Sequence, residues 1–173
     1  TSILSFLGDF LRFECSQFED AAGIYDTILD ILVDSKLFGI LDLLKLKQDV
    51  QDKPMRYSCY IVIPDSTSDF DLQKNILITI TKKIEIPTTL KYLVVIINKK
   101  NPNQLITNFE RITVDNKNFK IIGINIFTSS HYVYCEIDNA GNYNIINDEK
   151  IGYRETPDYV NRNKGYVYLY QRI

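Results

Sequence analysis

Residues 131–148 read HYVYCEIDNAGNYNIIND, and this stretch decides the fold. Its two flanks, which begin at His131 and Tyr143, are rich in the β-branched and aromatic residues typical of half-buried strands. Between them lies DNAGN, whose asparagines and glycine are typical of a hairpin turn. The stretch therefore predicts an antiparallel hairpin whose open end brings His131 close to Asn147 and Asp148.

Outward from this hairpin, the rest of the chain divides into a helical part followed by a strand-rich part. Apolar residues recur at helical spacing in three runs, and strand-like runs follow with one helix among them. We predict an α+β domain with helices on one side of a mainly antiparallel sheet. The predicted helices are 2–13, 17–32, 35–46 and 69–80, and the predicted strands are 57–63, 90–97, 111–114, 119–127, 131–137, 143–146 and 165–171.

Length, charge and cysteine content narrow the class of protein. The 173 residues are 45% hydrophobic, which is enough for one domain with its own core. Lys and Arg number 20 against 22 Asp and Glu, a balance that predicts neither a nucleic-acid partner nor an anionic membrane. The 3 cysteines are odd in number and far apart, which favours a reducing cytoplasmic or nuclear location. No apolar run reaches the length of a membrane span.

The chain has 1 histidine, so histidine-based chemistry would have to use His131. At the start of a strand, its ring would lie at the edge of the sheet. Asn147 or Asp148 could then hold one ring nitrogen by a hydrogen bond, leaving the other free to accept a proton from a thiol. The alternative is that His131 is an ordinary strand residue and that Asn147 and Asp148 only form a turn.

Three segments resemble the histidine-bearing end of ubiquitin-specific proteases. Residues 130–134, SHYVY, resemble the family's G-H-Y-x-x-Y box, and residues 143–151, YNIINDEKI, resemble W-Y-x-F-[DN]-D-x-x-V. Residues 165–172, GYVYLYQR, are similar to the closing A-Y-x-L-F-Y-x-R. Looser matches occur upstream, at residues 17–32 and 89–99. The three boxes occur in family order.

The resemblance implies a papain-like cysteine protease fold of the ubiquitin-specific type, in one domain spanning 1–173. Residues 1–47 would form a helical, thumb-like part and residues 55–173 a palm-like antiparallel sheet. The implied activity is thiol-dependent cleavage of ubiquitin or ubiquitin-like isopeptide or peptide bonds, without a cofactor. His131 would be the general base, Asn147 would orient it, and Asp148 would be the neighbouring acid. The implied partner is ubiquitin or a ubiquitin-like protein. In one variant of this hypothesis the chain is also part of a larger protein assembly.

The sequence departs from the family at its nucleophile and at its zinc-binding fingers. Residues 1–14 contain neither the cysteine nor the asparagine of the family's cysteine box, and no finger segment is present. The first hypothesis therefore takes the nucleophile from outside this segment. A second is an inactive binding or scaffold module. A third is a viral papain-like polyprotein protease that uses Cys15, at a predicted helix entrance, with His131. Cys59 and Cys135 are predicted to be buried strand residues.

Overall fold

The computed structural model describes the C-terminal strand-rich part of the chain in most detail. The described residues are 36, 46–48, 56–58, 60–66, 69–80, 84–99, 104–128, 131–147, 150–156 and 164–173. The predicted helices 2–13 and 17–32 lie outside these residues, as does nearly all of 35–46. At the end of that third segment the helix prediction is wrong, because Leu46 begins a strand.

Strands dominate the described part, and one helix lies among them. The strands are β1 (Leu46–Gln48), β2 (Arg56–Ser58), β3 (Tyr60–Ser66), β4 (Phe70–Asp71), β5 (Ile84–Glu85), β6 (Tyr92–Lys99), β7 (Ile106–Thr107), β8 (Arg111–Val114), β9 (Lys117–Thr128), β10 (His131–Ile137), β11 (Tyr143–Asn147), β12 (Lys150–Glu155) and β13 (Lys164–Arg172). The helix, α1, spans Leu72–Ile80. The predicted strands 111–114 and 131–137 agree with the structure at both ends.

An eight-stranded sheet forms the body of the fold. Its strand order is β12-β11-β10-β9-β13-β6-β3, and β8 pairs with β9 off this path. Most neighbours are antiparallel, as predicted, but β3 and β6 are parallel. The sheet is therefore mixed. A parallel pair needs a crossover connection, which the segment containing α1 supplies between β3 and β6.

Two bulges let the central strands keep one face toward the core. β9 gains an extra residue at Ile122 against β13, and β13 gains one at Tyr166 against β9. The bulge at Ile122 shifts the side-chain alternation of β9 by one position. The same buried cluster therefore contains Phe119 and Ile121 before the bulge and Ile124 and Ile126 after it. A smaller cluster of Val94, Ile96 and Val167 lies on the opposite face of the sheet.

Helix α1 is fixed to the sheet by its first turn and by its buried side chains. Leu72 and Ile76, four residues apart, are both fully buried. Asp71 caps the helix by accepting a hydrogen bond from the Lys74 amide at 3.0 Å, and its other oxygen accepts one from Asn108 Nδ2 at 2.6 Å. The predicted helix 69–80 is confirmed from Leu72 onward. Its second and third residues, Phe70 and Asp71, form β4, which pairs in parallel with β7.

The cap gives a prediction about acid stability. The Lys74 amide first, and the Asn108 side chain next, hold the pKa of Asp71 below its usual 3.8. The unfolded chain thus binds the proton more readily, so this stabilisation is present above about pH 4 and is lost as the pH falls through the folded pKa. We expect the melting temperature to fall less between pH 6 and pH 3 for Asp71→Asn than for wild type. Parallel melting curves that fall equally steeply would contradict this role.

Candidate functional site

The β10–β11 hairpin is held in register by its turn. The Asn142 amide and its side-chain Nδ2 donate to the two carboxylate oxygens of Asp138, at 2.9 and 2.8 Å. The Asp138 amide donates to the Asn142 carbonyl at 3.1 Å, and Gly141 adopts a φ of 83°, which favours glycine. The Asn142 side chain first, and its amide next, lower the pKa of Asp138. The predicted hairpin and its turn are confirmed.

From this turn the strands run without a register shift toward the open end. β10 and β11 pair continuously from Ile137↔Tyr143 to Tyr134↔Ile146. His131 is the first residue of β10, and Asn147 is the last residue of β11. If the register continues, position 147 lies opposite position 133, so His131 and Asn147 occupy diagonal positions of adjacent strands. Diagonal positions are roughly 7–8 Å apart, within reach of long side chains.

Residue alternation assigns the two positions to one face. Val133, Cys135 and Ile137 on β10 are buried, as are Tyr143 and Ile145 on β11. Because side chains alternate along a strand, positions 131 and 147 belong to the same alternating sets as these buried residues. His131 and Asn147 thus lie at the same end of two adjacent antiparallel strands. Asp148 lies outside the described residues.

Cys135, four residues after His131, does not have the properties of a nucleophile. Its side chain is fully buried. Burial first, and the negative charges of Glu155 and Glu136 next, raise the pKa of this thiol to about 12. A thiol of that pKa supplies almost no thiolate near pH 7. The prediction that Cys135 is a buried strand residue is confirmed, whereas Cys15 and Cys59 lie outside the described residues.

A concave region that the sequence did not predict lies near the turn end of the hairpin. One groove of about 530 Å³ lies between α1 and β8, and a smaller one of about 280 Å³ adjoins the turn at residues 139–141. Glu110 and Arg111 line both grooves. The sequence signal that could have revealed the larger groove is Leu77, an apolar residue outside the helical spacing of Leu72 and Ile76. Within the described segments, no group of acidic, cysteine or histidine side chains could hold a metal ion.

Comparison with known proteins identifies the fold but not a sequence family. No family model matches this sequence, and no curated protein matches it. Among solved structures, an essential yeast splicing factor superposes with a TM-score of 0.70 at 9% identity, over 95% of this chain and 52% of the other. A chain of the Ubp8-Sgf11-Sgf73-Sus1 SAGA DUB module superposes with a TM-score of 0.67 at 11% identity, over 100% of this chain and 53% of the other.

A third match is a SAGA DUB module bound to monoubiquitin, with a TM-score of 0.62 at 11% identity, over 90% of this chain and 48% of the other. This chain thus spans about half the length of the chains it matches. The similarities indicate a mixed, sheet-dominated fold like that of the matched chains of the SAGA DUB module and of the yeast splicing factor. None of the helices in the described ranges combines the length and apolar character needed to cross a membrane.

Proposed function

We propose that this chain is a reduced, finger-less domain of the ubiquitin-specific protease type, with a papain-like arrangement. Residues 1–47 form its thumb-like part and residues 55–173 its palm-like sheet, in a single domain. Its reaction is the thiol-dependent cleavage of isopeptide or peptide bonds made by ubiquitin or a ubiquitin-like protein. The proposal rests on one observation above all, the hairpin register that brings His131 and Asn147 to the same end of a deubiquitinase-related sheet.

We call the open end of the β10–β11 hairpin, with His131, Asn147 and Asp148, the hairpin mouth. In this proposal each of these three residues has a distinct role. The imidazole of His131 accepts the proton of a cysteine thiol and later donates it to the leaving amine. The side chain of Asn147 hydrogen-bonds the other ring nitrogen and so fixes the tautomer and the ring orientation. Asp148, next in sequence, adds a negative charge that stabilises the imidazolium.

The nucleophile in this proposal lies outside residues 1–173. Cys135 is excluded by its burial and its raised thiol pKa. Cys15 is the alternative, since a predicted helix entrance would lower the pKa of its thiol. With Cys15 as nucleophile the chain would instead be a self-sufficient papain-like protease of the viral polyprotein type.

Ubiquitin is the proposed partner because two matched DUB modules were solved with ubiquitin species. One is bound to monoubiquitin and another to ubiquitin aldehyde. The larger assemblies of those modules also support a multi-subunit setting for this chain. A cytoplasmic or nuclear location is part of the same proposal, since the 3 widely spaced cysteines favour a reducing compartment.

The test is a reaction of the 173-residue chain with ubiquitin vinyl sulfone, followed by mass spectrometry and by a ubiquitin binding measurement. Ubiquitin binding without an adduct is the expected result, and it supports a nucleophile supplied from elsewhere. An adduct on Cys15 would support the alternative nucleophile. A chain that neither binds ubiquitin nor forms an adduct is not a deubiquitinase domain.

The second candidate function is a binding or scaffold module without catalysis. It is supported by the similarity to the essential yeast splicing factor, since the same fold occurs in a protein named for a different process. The two candidates separate on one measurement. If the full-length protein binds ubiquitin but releases no fluorophore from ubiquitin's carboxyl terminus, the scaffold function is supported.

A further inference from the structure

The groove between α1 and β8 lies at the opposite end of the sheet from the proposed catalytic residues. It is lined by Asp71, Lys74, Leu77, Phe109, Glu110 and Arg111, and we call it the α1–β8 groove. Its smaller neighbour includes the hairpin turn at residues 139–141. Six residue steps of β10 separate that turn from His131, which is roughly 20 Å at the rise of a strand. A ligand in the groove would leave the hairpin mouth open.

Leu77, in one wall of the groove, belongs to an apolar helix surface that is exposed in the described part of the fold. Lys74, Leu77 and Ile78 are spaced three and four residues apart, so they share one side of α1. Leu77 is 53% exposed and Ile78 is 60% exposed, whereas Leu72 and Ile76 on the other side are fully buried. A helix of this kind normally presents polar residues to solvent, so the exposed pair favours contact with a partner.

In the lining of the smaller groove, two cations, Arg111 and Lys120, stand against one acid, Glu110. Both carboxylate oxygens of Asp71 accept internal hydrogen bonds, and Glu110 accepts one from the Tyr143 hydroxyl at 2.9 Å. Neither Lys74 nor Arg111 forms a salt bridge with a described residue. The salt bridge found among the described residues joins Lys117 to Asp115. These hydrogen bonds orient the two acids without removing their charge, so an anionic ligand group is favoured beside Arg111 and Lys120 and not beside Asp71.

The cationic side chain of Arg111 also faces a like charge. In the β8–β9 register it lies directly opposite Lys120, which lines the adjoining groove. Like charges in directly opposed cross-strand positions destabilise a sheet. An anionic group placed between the two would remove that repulsion. This arrangement favours a carboxylate at the junction of the two grooves.

The walls of the groove are held rigidly, which lowers the entropic cost of binding. Gln73 donates through Nε2 to the Thr113 carbonyl at 2.9 Å and accepts through Oε1 from the Thr113 amide at 2.6 Å, so it ties α1 to the edge of β8. The Tyr170 hydroxyl donates to the Phe109 carbonyl at 2.6 Å and fixes the floor. Such preorganisation strengthens the binding of a flexible segment.

From these observations we propose that the α1–β8 groove binds a short acidic peptide segment of a partner protein. An apolar side chain of that segment packs on Leu77 and Phe109, and a neighbouring aspartate or glutamate lies between Arg111 and Lys120. The surface thus serves to recruit or anchor a partner at a site separate from the hairpin mouth, and it does so whether or not the chain cleaves ubiquitin.

The test is a selection of random short peptides displayed on phage against the intact 173-residue chain, followed by fluorescence anisotropy with the most enriched peptide. We expect enriched sequences that combine an acidic residue with a leucine, isoleucine or phenylalanine. Arg111→Glu and, separately, Leu77→Ser should weaken binding of that peptide at least about tenfold. Arg111→Glu also replaces a like-charge pair with an opposite-charge pair, so its melting temperature should not fall.

Lys91→Glu is the matched control, because Lys91 is an exposed cation outside both grooves and the variant makes the same change in net charge. It should bind the peptide as wild type does. The proposal is overturned if no peptide is enriched, if the enriched peptides are basic, or if Arg111→Glu binds like Lys91→Glu. It is also overturned if polyuridine RNA displaces the peptide and binds more tightly, because the surface would then serve a nucleic acid.

Discussion

Replacement of His131 by alanine is expected to lower the rate of ubiquitin cleavage by about a hundredfold to ten-thousandfold. This is the range that a positioned general base contributes, because without it the thiol must lose its proton to water. The measurement is fluorophore release from the carboxyl terminus of ubiquitin. The protein assayed is the form of this chain that reacts with ubiquitin vinyl sulfone. The loss should appear in kcat/KM, while ubiquitin binding stays close to that of wild type.

The matched control is Glu136→Ala, since Glu136 lies on the same strand at an exposed position of the other face. It should retain the wild-type rate. Asn147→Ala should lose less activity than His131→Ala, because a positioning residue acts only through the imidazole, and its pH–rate profile should shift with the pKa of the ring. Equal rates for His131→Ala and Glu136→Ala would remove His131 from the mechanism.

The stability of the fold should change in opposite directions when one or the other of two buried tyrosines of β13 loses its hydroxyl group. Tyr168 and Tyr170 lie two residues apart, both are fully buried, and both belong to the main core cluster. The Tyr170 hydroxyl donates to the Phe109 carbonyl at 2.6 Å. The Tyr168 hydroxyl is buried with no hydrogen-bond partner among the described residues, and its ring meets Phe109 edge-on at 5.8 Å between centroids.

Tyr168→Phe is therefore expected to stabilise the fold by about 1–3 kcal/mol, the cost of a buried polar group left without a partner. Tyr170→Phe is expected to destabilise it by about 1–3 kcal/mol, because the Phe109 carbonyl loses its donor. In a chain of this size each kcal/mol moves the melting temperature by roughly 2–4 °C. The pair is its own control, since both variants delete the same atom from neighbouring positions of one strand.

The measurement is the melting temperature of each variant compared with that of wild type. A fall in melting temperature for Tyr168→Phe would mean that its hydroxyl has a stabilising interaction that the described part of the structure does not contain. Burial raises the pKa of both hydroxyl groups, so neither ionises in the range where the melts are run. The comparison is therefore free of a titration effect below pH 9.

Local patterns in the sequence predicted most of the strands and the hairpin that carries the candidate site. The strands 111–114 and 131–137 and the turn with Gly141 depend on residues close together in the chain, so residue type and spacing were sufficient. Five strands were not predicted: β1, β4, β5, β7 and β12. Of these, β4, β5 and β7 have two residues each, too few for a period-two pattern to appear.

Long-range features could not be predicted in the same way. The parallel pairing of β3 with β6 joins strands separated by a helix, and the bulge at Ile122 depends on the partner strand β13. The α1–β8 groove likewise combines the cap residue Asp71 with Arg111, forty residues later in the chain. None of these pairings leaves a signal within a short window of sequence.

The sequence by itself determined that the chain has one histidine, that this histidine opens a strand, and that Asn147 closes the next one. Only the tertiary structure decided that Glu155 and Glu136 help to raise the pKa of the Cys135 thiol, that a mixed sheet supports the hairpin, and that Arg111 faces Lys120 beside an exposed helix face. The physical reason is that strand and turn propensities act between neighbours in the chain. Burial, pKa and the pairing of charges depend instead on which distant residues the fold brings together.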